Sequence, residues 1–407
     1  MHLFHFASVR RAQRSAGVLA LLTAVAAPAS AQGAGTERFL VSTTSDAGVL
    51  GPLSPDLSDT DLVVVGGGAV PAAWLTERHW AALADFAPRD VDAVDTMFGV
   101  PRAGDLYLSF LSDDGGFLDG DVVRLSASGA FEVAFDEASI ATALGDPGLA
   151  IDLDGFAFES PSPSAPGPFG GGRLLFSLSS DATTPVLGPV SNGDVLALDE
   201  QGTVSVLFTE ADVQDALTAA TGSTDAVGDV HAVEWVAGEV WVAIQSPSAH
   251  DGAVLALGPN ARVVASESEM ALGGDEIDAL TRVVDEEPLC VWTDATLGGA
   301  NGRGVVQNAT PNGPVVVLGG GTSGWLPLPQ MAGFGGLAID AGDPLLAALL
   351  SGPVAPVYWA DGSGTIALPA IFASNGAGTG PGDAAGVTLQ AIDVASLRVS
   401  APFRVLP

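Results

Sequence analysis

Residues 173–181 read RLLFSLSSD, an apolar, β-prone run closed by a polar turn. The same pattern returns as RFLVSTTSD from Arg38, DLYLSFLSD from Asp105, EVWVAIQSP from Glu239 and PLCVWTDAT from Pro288. Successive starts lie 67, 68, 66 and 49 residues apart, so a unit of nearly constant length has been copied along the chain. Self-similarity at a fixed period marks an architecture in which each copy buries its apolar face against the next.

Each copy continues in the same order. A second strand reads DLVVV at Asp61, DVVRL at Asp121, DVLAL at Asp194, AVLAL at Ala253 and GVVQN at Gly304. A third reads AAWLTE at Ala72, FEVAFDE at Phe131, VSVLFTE at Val204, RVVASES at Arg262 and PVVVLG at Pro314. Alternation and β-branched content make these strands, and Gly/Asp turns join them. Three copies then carry a short helix: TERHWAALAD, DEASIATALGD and TEADVQDALTAATG. Each opens with an acid or hydroxyl suited to the first turn, so Glu77, Glu137 and Glu210 read as structural groups favoured by the helix dipole. The fourth copy reads as lacking the helix, which accounts for its shorter spacing. A last strand reads DVDAV at Asp90, DLDGF at Asp152, DVHAV at Asp229, EIDAL at Glu276 and, in a fifth copy, AIDAG at Ala338.

Four short strands per copy predict an all-β fold: a β-propeller-like repeat domain of four or five units with short helices inserted, followed by a small C-terminal β-sandwich. The expected boundaries are 1–31, 32–298 and 299–407. The repeat resembles one found in exported bacterial proteins, in which D-[ILV]-D-A-[LF] precedes an LLFS-like strand and D/G-rich turns. Asp90-Val91-Asp92-Ala93, Glu276-Ile277-Asp278-Ala279 and RLLFSLSSD carry the likeness. It implies a propeller-like domain with no assigned activity. Asp152-Leu153-Asp154-Gly155 and Asp229-Val230-His231-Ala232 depart from the pattern. After residue 298, Gly and Pro rise and acids thin out. Gly362–Pro369, Thr388–Ala391 and Ser400–Pro402 resemble a C-terminal module of planctomycete-type secreted proteins. The rival division makes residues 304–341 a fifth unit.

The N-terminus reads as a cleaved export signal: Arg10, Arg11 and Arg14, an apolar run from Ala16 to Ala27, then Ala29-Ser30-Ala31. That run is shorter than the ~20 residues a spanning helix needs. The expected product starts at Gln32 and is secreted, at the cell surface or periplasmic. Its loss takes the formal charge from −34 to −37, and all 14 basic residues are arginine. Such a surface repels nucleic acid and anionic lipid, attracts cations and favours a soluble monomer. Excess Asp without Lys is equally accounted for by a biased genome. Hydrophobic residues make up 47% of the chain, which excludes acidic disorder.

Asp113, Asp114, Asp119 and Asp121 are the candidate metal ligands, with calcium as the candidate ion, because dense Asp/Gly loops supply hard oxygens. Asp46, Asp56, Asp59 and Asp61 form the equivalent loop of the first copy. Turn chemistry explains the same residues, and no EF-hand spacing is present. Asp92, Asp154 and Asp278 occupy one strand face. They are expected to bond backbone amides of the next copy, with lining of a central channel as the alternative. His231, in place of an Asp, reads as structural. Single Cys290 reads as a buried hydrophobe, and Trp241 and Trp292 as core.

Mature His79, His231 and His250 have no metal-ligand spacing. There is no H-E-x-x-H, no G-x-S-x-G, and no phosphate-loop context around the Gly triplets at 66–68, 170–172 and 319–321. No catalytic residue is expected. The function that follows is an exported, non-enzymatic binding or surface/matrix protein, calcium-stabilised, with a protein or glycan partner. The alternative is an extracellular polymer hydrolase or lyase with its site at the propeller mouth.

Overall fold

Residues 38–43, 61–66, 72–83, 90–97, 102–111, 116–159, 161–162, 167–247, 250–270, 277–283, 289–294, 303–321, 323–328, 330–351, 357–368 and 387–405 are described in a computed structural model of the chain. The fold is mostly β, built of several small antiparallel sheets, as the alternating apolar runs require.

The first copy forms β1 (Arg38–Thr43), β2 (Leu62–Gly66), β3 (Ala72–Leu75) and helix α1 (Glu77–Leu83). The second forms β4 (Ala93–Thr96), β5 (Leu106–Ser109), β6 (Val122–Leu125), β7 (Phe131–Phe135) and α2 (Glu137–Ala143). In the third come β8 (Leu153–Glu159), β9 (Arg173–Leu178), the hairpin β10 (Ala182–Thr184) and β11 (Gly188–Val190), then β12 (Val195–Asp199), β13 (Val204–Phe208) and α3 (Glu210–Thr221). The fourth has β14 (Asp229–Val236), β15 (Glu239–Gln245), β16 (Ala253–Ala256), β17 (Arg262–Ala265) and the single turn α4 (Glu267–Met270), and β18 (Ile277–Arg282) follows. A helical turn therefore does occupy the fourth copy, in reduced form.

Strand order corrects the phase of the repeat. The D-x-D-A strand does not close its own unit. It heads the next sheet, as in β4-β5-β6-β7, β8-β9-β12-β13 and β14-β15-β16-β17. The remaining sheet runs β18-β1-β2-β3, so a strand from residue 277 onward pairs with the strand that begins at Arg38, Leu40 opposite Thr281. The four leading strands touch in succession: β4 with β8, β8 with β14, β14 with β18 and β18 with β4.

Burial falls outward across the β4-β5-β6-β7 sheet. β4 and β5 are buried along their whole length, whereas β7 is half-buried or exposed throughout. A strand covered on both faces tolerates few polar positions, which is why β9 reads as a continuous apolar run. The copies match down to their irregularities. In each of these four sheets a register shift follows the first pair between the third and fourth strands, at Leu62/Val63, Val122/Val123, Val195/Leu196 and Val254/Leu255.

Beyond β18, β19 (Cys290–Asp294) pairs with β20 (Arg303–Gln307). There follow β21 (Pro314–Gly320), β22 (Ser323–Pro327), β23 (Ala332–Gly333), β24 (Gly336–Ile339), helix α5 (Pro344–Ser351), β25 (Val357–Trp359), β26 (Ile366–Ala367), β27 (Val387–Asp393), β28 (Arg398–Val399) and β29 (Phe403–Val405). β26 joins β19 and β20; β21 joins β23, β25, β27, β28 and β29 in a six-stranded sheet. β22 pairs with β24 in a sheet of their own, so the segments considered as a fifth unit divide among three sheets and do not form one four-stranded sheet. This region shares a core with the first copies. Phe334 packs edge-on against Trp74 at 6.3 Å, Phe403 against His79 at 5.1 Å, and the Trp325 indole donates to Ala127 O at 2.8 Å. Cys290 is fully buried. Trp241 is buried too, its ring tilted against Phe39 at 6.1 Å; the Trp292 side chain lies outside the described residues.

Candidate functional site

The loop acids divide by fate. Asp113 and Asp114 lie outside the described residues, as do Asp46, Asp56 and Asp59. Asp121 uses both carboxylate oxygens on backbone. Its Oδ2 accepts Leu118 N–H at 3.0 Å and its Oδ1 accepts Glu137 N–H at 2.9 Å, tying the turn before β6 to the start of α2. Asp194 repeats this one copy later, accepting Ser191 N–H at 3.0 Å and Glu210 N–H at 2.7 Å. The preceding glycine is needed for the approach. A Cβ on Gly120 would stand 2.5 Å from Glu137 Cγ, and one on Gly193 2.6 Å from Glu210 Cγ. Asp119 enters through its carbonyl, which accepts the Ser109 hydroxyl at 2.9 Å.

Glu137 and Glu210 hold the structural places expected of them. Asp136 and Thr209 are the N-caps, and Glu137 and Glu210 occupy the first turn. Glu137 Oε1 accepts Ile151 N–H at 2.8 Å and so docks the helix onto the approach to β8. Glu210 accepts the Ser191 hydroxyl. The Glu77 side chain lies outside the described residues.

The four leading strands hold a second acidic group with different chemistry. Asp92, Asp154 and Asp278 come from three different sheets, yet each offers a carboxylate oxygen within 4.8 Å of the other two. Asp154, Asp229 and His231 form an adjoining trio with the same spread. His231 Nε2 lies 3.9 Å from Asp229 Oδ2, and its Nδ1 lies 3.9 Å from Asp278 Oδ1. Asp92, Asp154, His231 and Asp278 are the third residues of DVDA, DLDG, DVHA and EIDA. The repeat therefore delivers one ligand-type side chain per copy to one place.

Bulges put them there. Pairing with the neighbouring strand skips Asp154, His231 and Asp278 in turn: Leu153 and Gly155, Val230 and Ala232, and Ile277 and Ala279 carry the register on either side. Asp92 N–H bonds Ser109 O at 3.1 Å, while Ala93 faces the same Ser109. An extra residue in one strand is unpaired, and the local bend re-aims its side chain. Gly155 completes the approach, since a Cβ there would meet Ala232 Cα at 2.7 Å. That close contact explains the departure DLDG.

Burial without compensation sets the electrostatics. Asp92 is 2% exposed and Asp154 6%. Oδ2 of each lacks a hydrogen-bond partner. Burial, then the charges of Asp278, Asp154, Asp152 and Asp90, push the Asp92 pKa up to about 10. Burial, then Asp229 and Asp278, raise Asp154 to about 9. Burial also lowers His231. At ~4–5 Å and an effective dielectric of about 20, two like charges repel by about 3–4 kcal/mol. Protons or a cation must relieve that. Access improves toward Asp229, at 8%, and the half-buried Asp152. There Ser179 Oγ donates to Asp152 Oδ2 at 2.7 Å and Asn192 Nδ2 to Asp229 Oδ2 at 2.7 Å. Asn192 follows the β10–β11 hairpin.

Three residues farther along the same strands stand Asp95, Ala157, Glu234 and Thr281. Here lies the amide bonding expected of the D-x-D aspartates. Asp95 Oδ2 accepts Phe158 N–H at 2.7 Å across sheets, and its Oδ1 accepts Thr281 Oγ1–H at 3.2 Å. Complete burial raises Asp95 to about 7 and Glu234 well above the ordinary carboxylate range.

Sequence reasoning found Asp92, Asp154 and Asp278 as a set and missed their convergence with His231. The signal was present: His231 occupies the repeat position where the other three copies carry Asp. No protein-family model matches the chain, and no curated protein matches it. Among the described residues no helix is long and apolar enough to cross a membrane.

Proposed function

We propose that this chain is an exported, non-enzymatic binding or surface/matrix protein. Its scaffold is a four-unit propeller-like domain, followed by a C-terminal β-sandwich module, and a calcium ion on the axis of the four leading strands stabilises it. The carrying observation is the convergence of Asp92, Asp154 and Asp278 from three sheets, with buried Oδ2 atoms on Asp92 and Asp154 that nothing else satisfies. A hard divalent cation takes carboxylate oxygens and removes their mutual repulsion. Bound there, it joins sheets contributed by three copies. The succession of contacts β4–β8–β14–β18–β4 and the β18–β1 pairing support the propeller-like reading.

A polymer hydrolase needs its carboxylates in an open mouth. Burial of these acids to 2–8% exposure weighs against it. Two clefts, of about 460 and 370 Å³, are lined by residues such as Arg173, Asp199 and Glu200, or Leu207, Trp235 and Asn260, and neither includes an acid from the axis. The test is melting of the full chain in calcium and in chelator. Calcium is expected to raise Tm, and Asp278→Asn to erase the difference. Superimposable wild-type curves would overturn the reading.

A further inference from the structure

We infer that the axis holds two divalent ions bridged by Asp154: one in the all-carboxylate pocket Asp92–Asp154–Asp278, the other in a nitrogen-containing pocket formed by Asp154, Asp229 and His231. The inference rests on the cation reading above and extends it from one ion to two of different character.

Three observations carry it. Asp154 belongs to both trios, each with donor atoms within 4.8 Å of one another. A carboxylate has two oxygens and can serve two ions; Asp154 is 94% buried by exposure, and its Oδ2 has no hydrogen-bond partner. The pockets also differ in donors. Oxygen-only ligands suit calcium, magnesium or manganese, whereas an imidazole shifts preference toward zinc, cobalt and their first-row neighbours.

In the second pocket Asp229 is 8% and His231 9% exposed, against 2% for Asp92 in the first. Asn192 donates to Asp229 Oδ2 and orients that carboxylate. A ligand held by such an outer contact keeps its direction. Among the described residues, a hairpin between the second and third strands of a four-stranded sheet occurs in the third copy, immediately before Asn192.

The experiment uses the full chain, stripped with chelator, desalted and reloaded with calcium, cobalt(II) or zinc. Bound ions per chain are counted by elemental analysis and native mass spectrometry. Cobalt reports a nitrogen ligand through its visible absorption. Wild type should bind two ions when calcium and zinc are supplied together. His231→Ala should keep the calcium ion, weaken zinc at least tenfold and change the cobalt spectrum. Asp154→Asn should lose both. His231→Gln serves if the alanine variant does not fold. One ion per chain, with a cobalt spectrum indifferent to His231, overturns the two-ion inference and leaves the calcium reading standing. No bound ion of any kind overturns both.

Discussion

Asp194 and Asp154 are the same residue forty positions apart in one chain, and their surroundings give them opposite roles. Asp194 sits in a turn where two backbone N–H groups point at its two oxygens. Asp154 sits at a bulge among other carboxylates, buried, with Oδ2 unpartnered. The first acid is complete without any ligand. The second is stable only if it holds a proton or shares a cation. Acidic composition by itself therefore says little about metal binding; the supply of amide donors decides.

The largest effect that could break this comparison belongs to the turn acid. Asp194→Ala strands the Ser191 and Glu210 amides beside a buried position, at a cost of about 2–4 kcal/mol by the usual worth of hydrogen bonds to charged groups. Urea unfolding should show the same loss with calcium and with chelator. A calcium-dependent loss would mean that Asp194 also touches an ion.

Next comes the response of ion-free protein to pH. Unfolded aspartates release their protons near pH 4. In the fold, Asp92 holds its proton to about 10 and Asp154 to about 9. Between those limits the native state binds more protons, so its stability falls as pH rises. Ion-free protein should thus melt higher at pH 5 than at pH 8, and saturating calcium should flatten that slope. Calorimetric Tm values across this range check it, and an ion-free profile that rises with pH would contradict the burial argument.

The smallest effect sharpens the role of burial. Asp199 Oδ1 also accepts two amides, Gln201 N–H at 2.9 Å and Thr203 N–H at 2.8 Å, but at an exposed turn. Water replaces those bonds when the side chain is lost. Asp199→Ala should melt within error of wild type, with or without calcium.

Much of the architecture was legible in the residues. Copies of RLLFSLSSD at near-constant spacing marked the repeat, because a strand buried on both faces is written as a continuous apolar run. Helix positions followed from their capping residues, and Glu137 from its place in the first turn. The phase was not legible. DVDAV follows one helix and precedes the next LLFS-like strand, and local sequence fits it equally well to the end of one unit or the start of another. Only the pairing of β18 with β1, across some 240 residues, decides it.

The site shows the same division. Alternation put Asp92, Asp154 and Asp278 on one strand face, and the repeat made His231 their counterpart. Whether four such faces meet depends on strand-to-strand contacts that no single strand encodes. What the sequence by itself determined was the element order, the turn and helix acids and the ligand-type residue in each copy, because these follow from local hydrogen bonding and burial pattern. What only the tertiary structure decided was the convergence of those residues. Bulges at 154, 231 and 278 and the glycine at 155 let separate sheets approach closely enough for their side chains to share one buried volume.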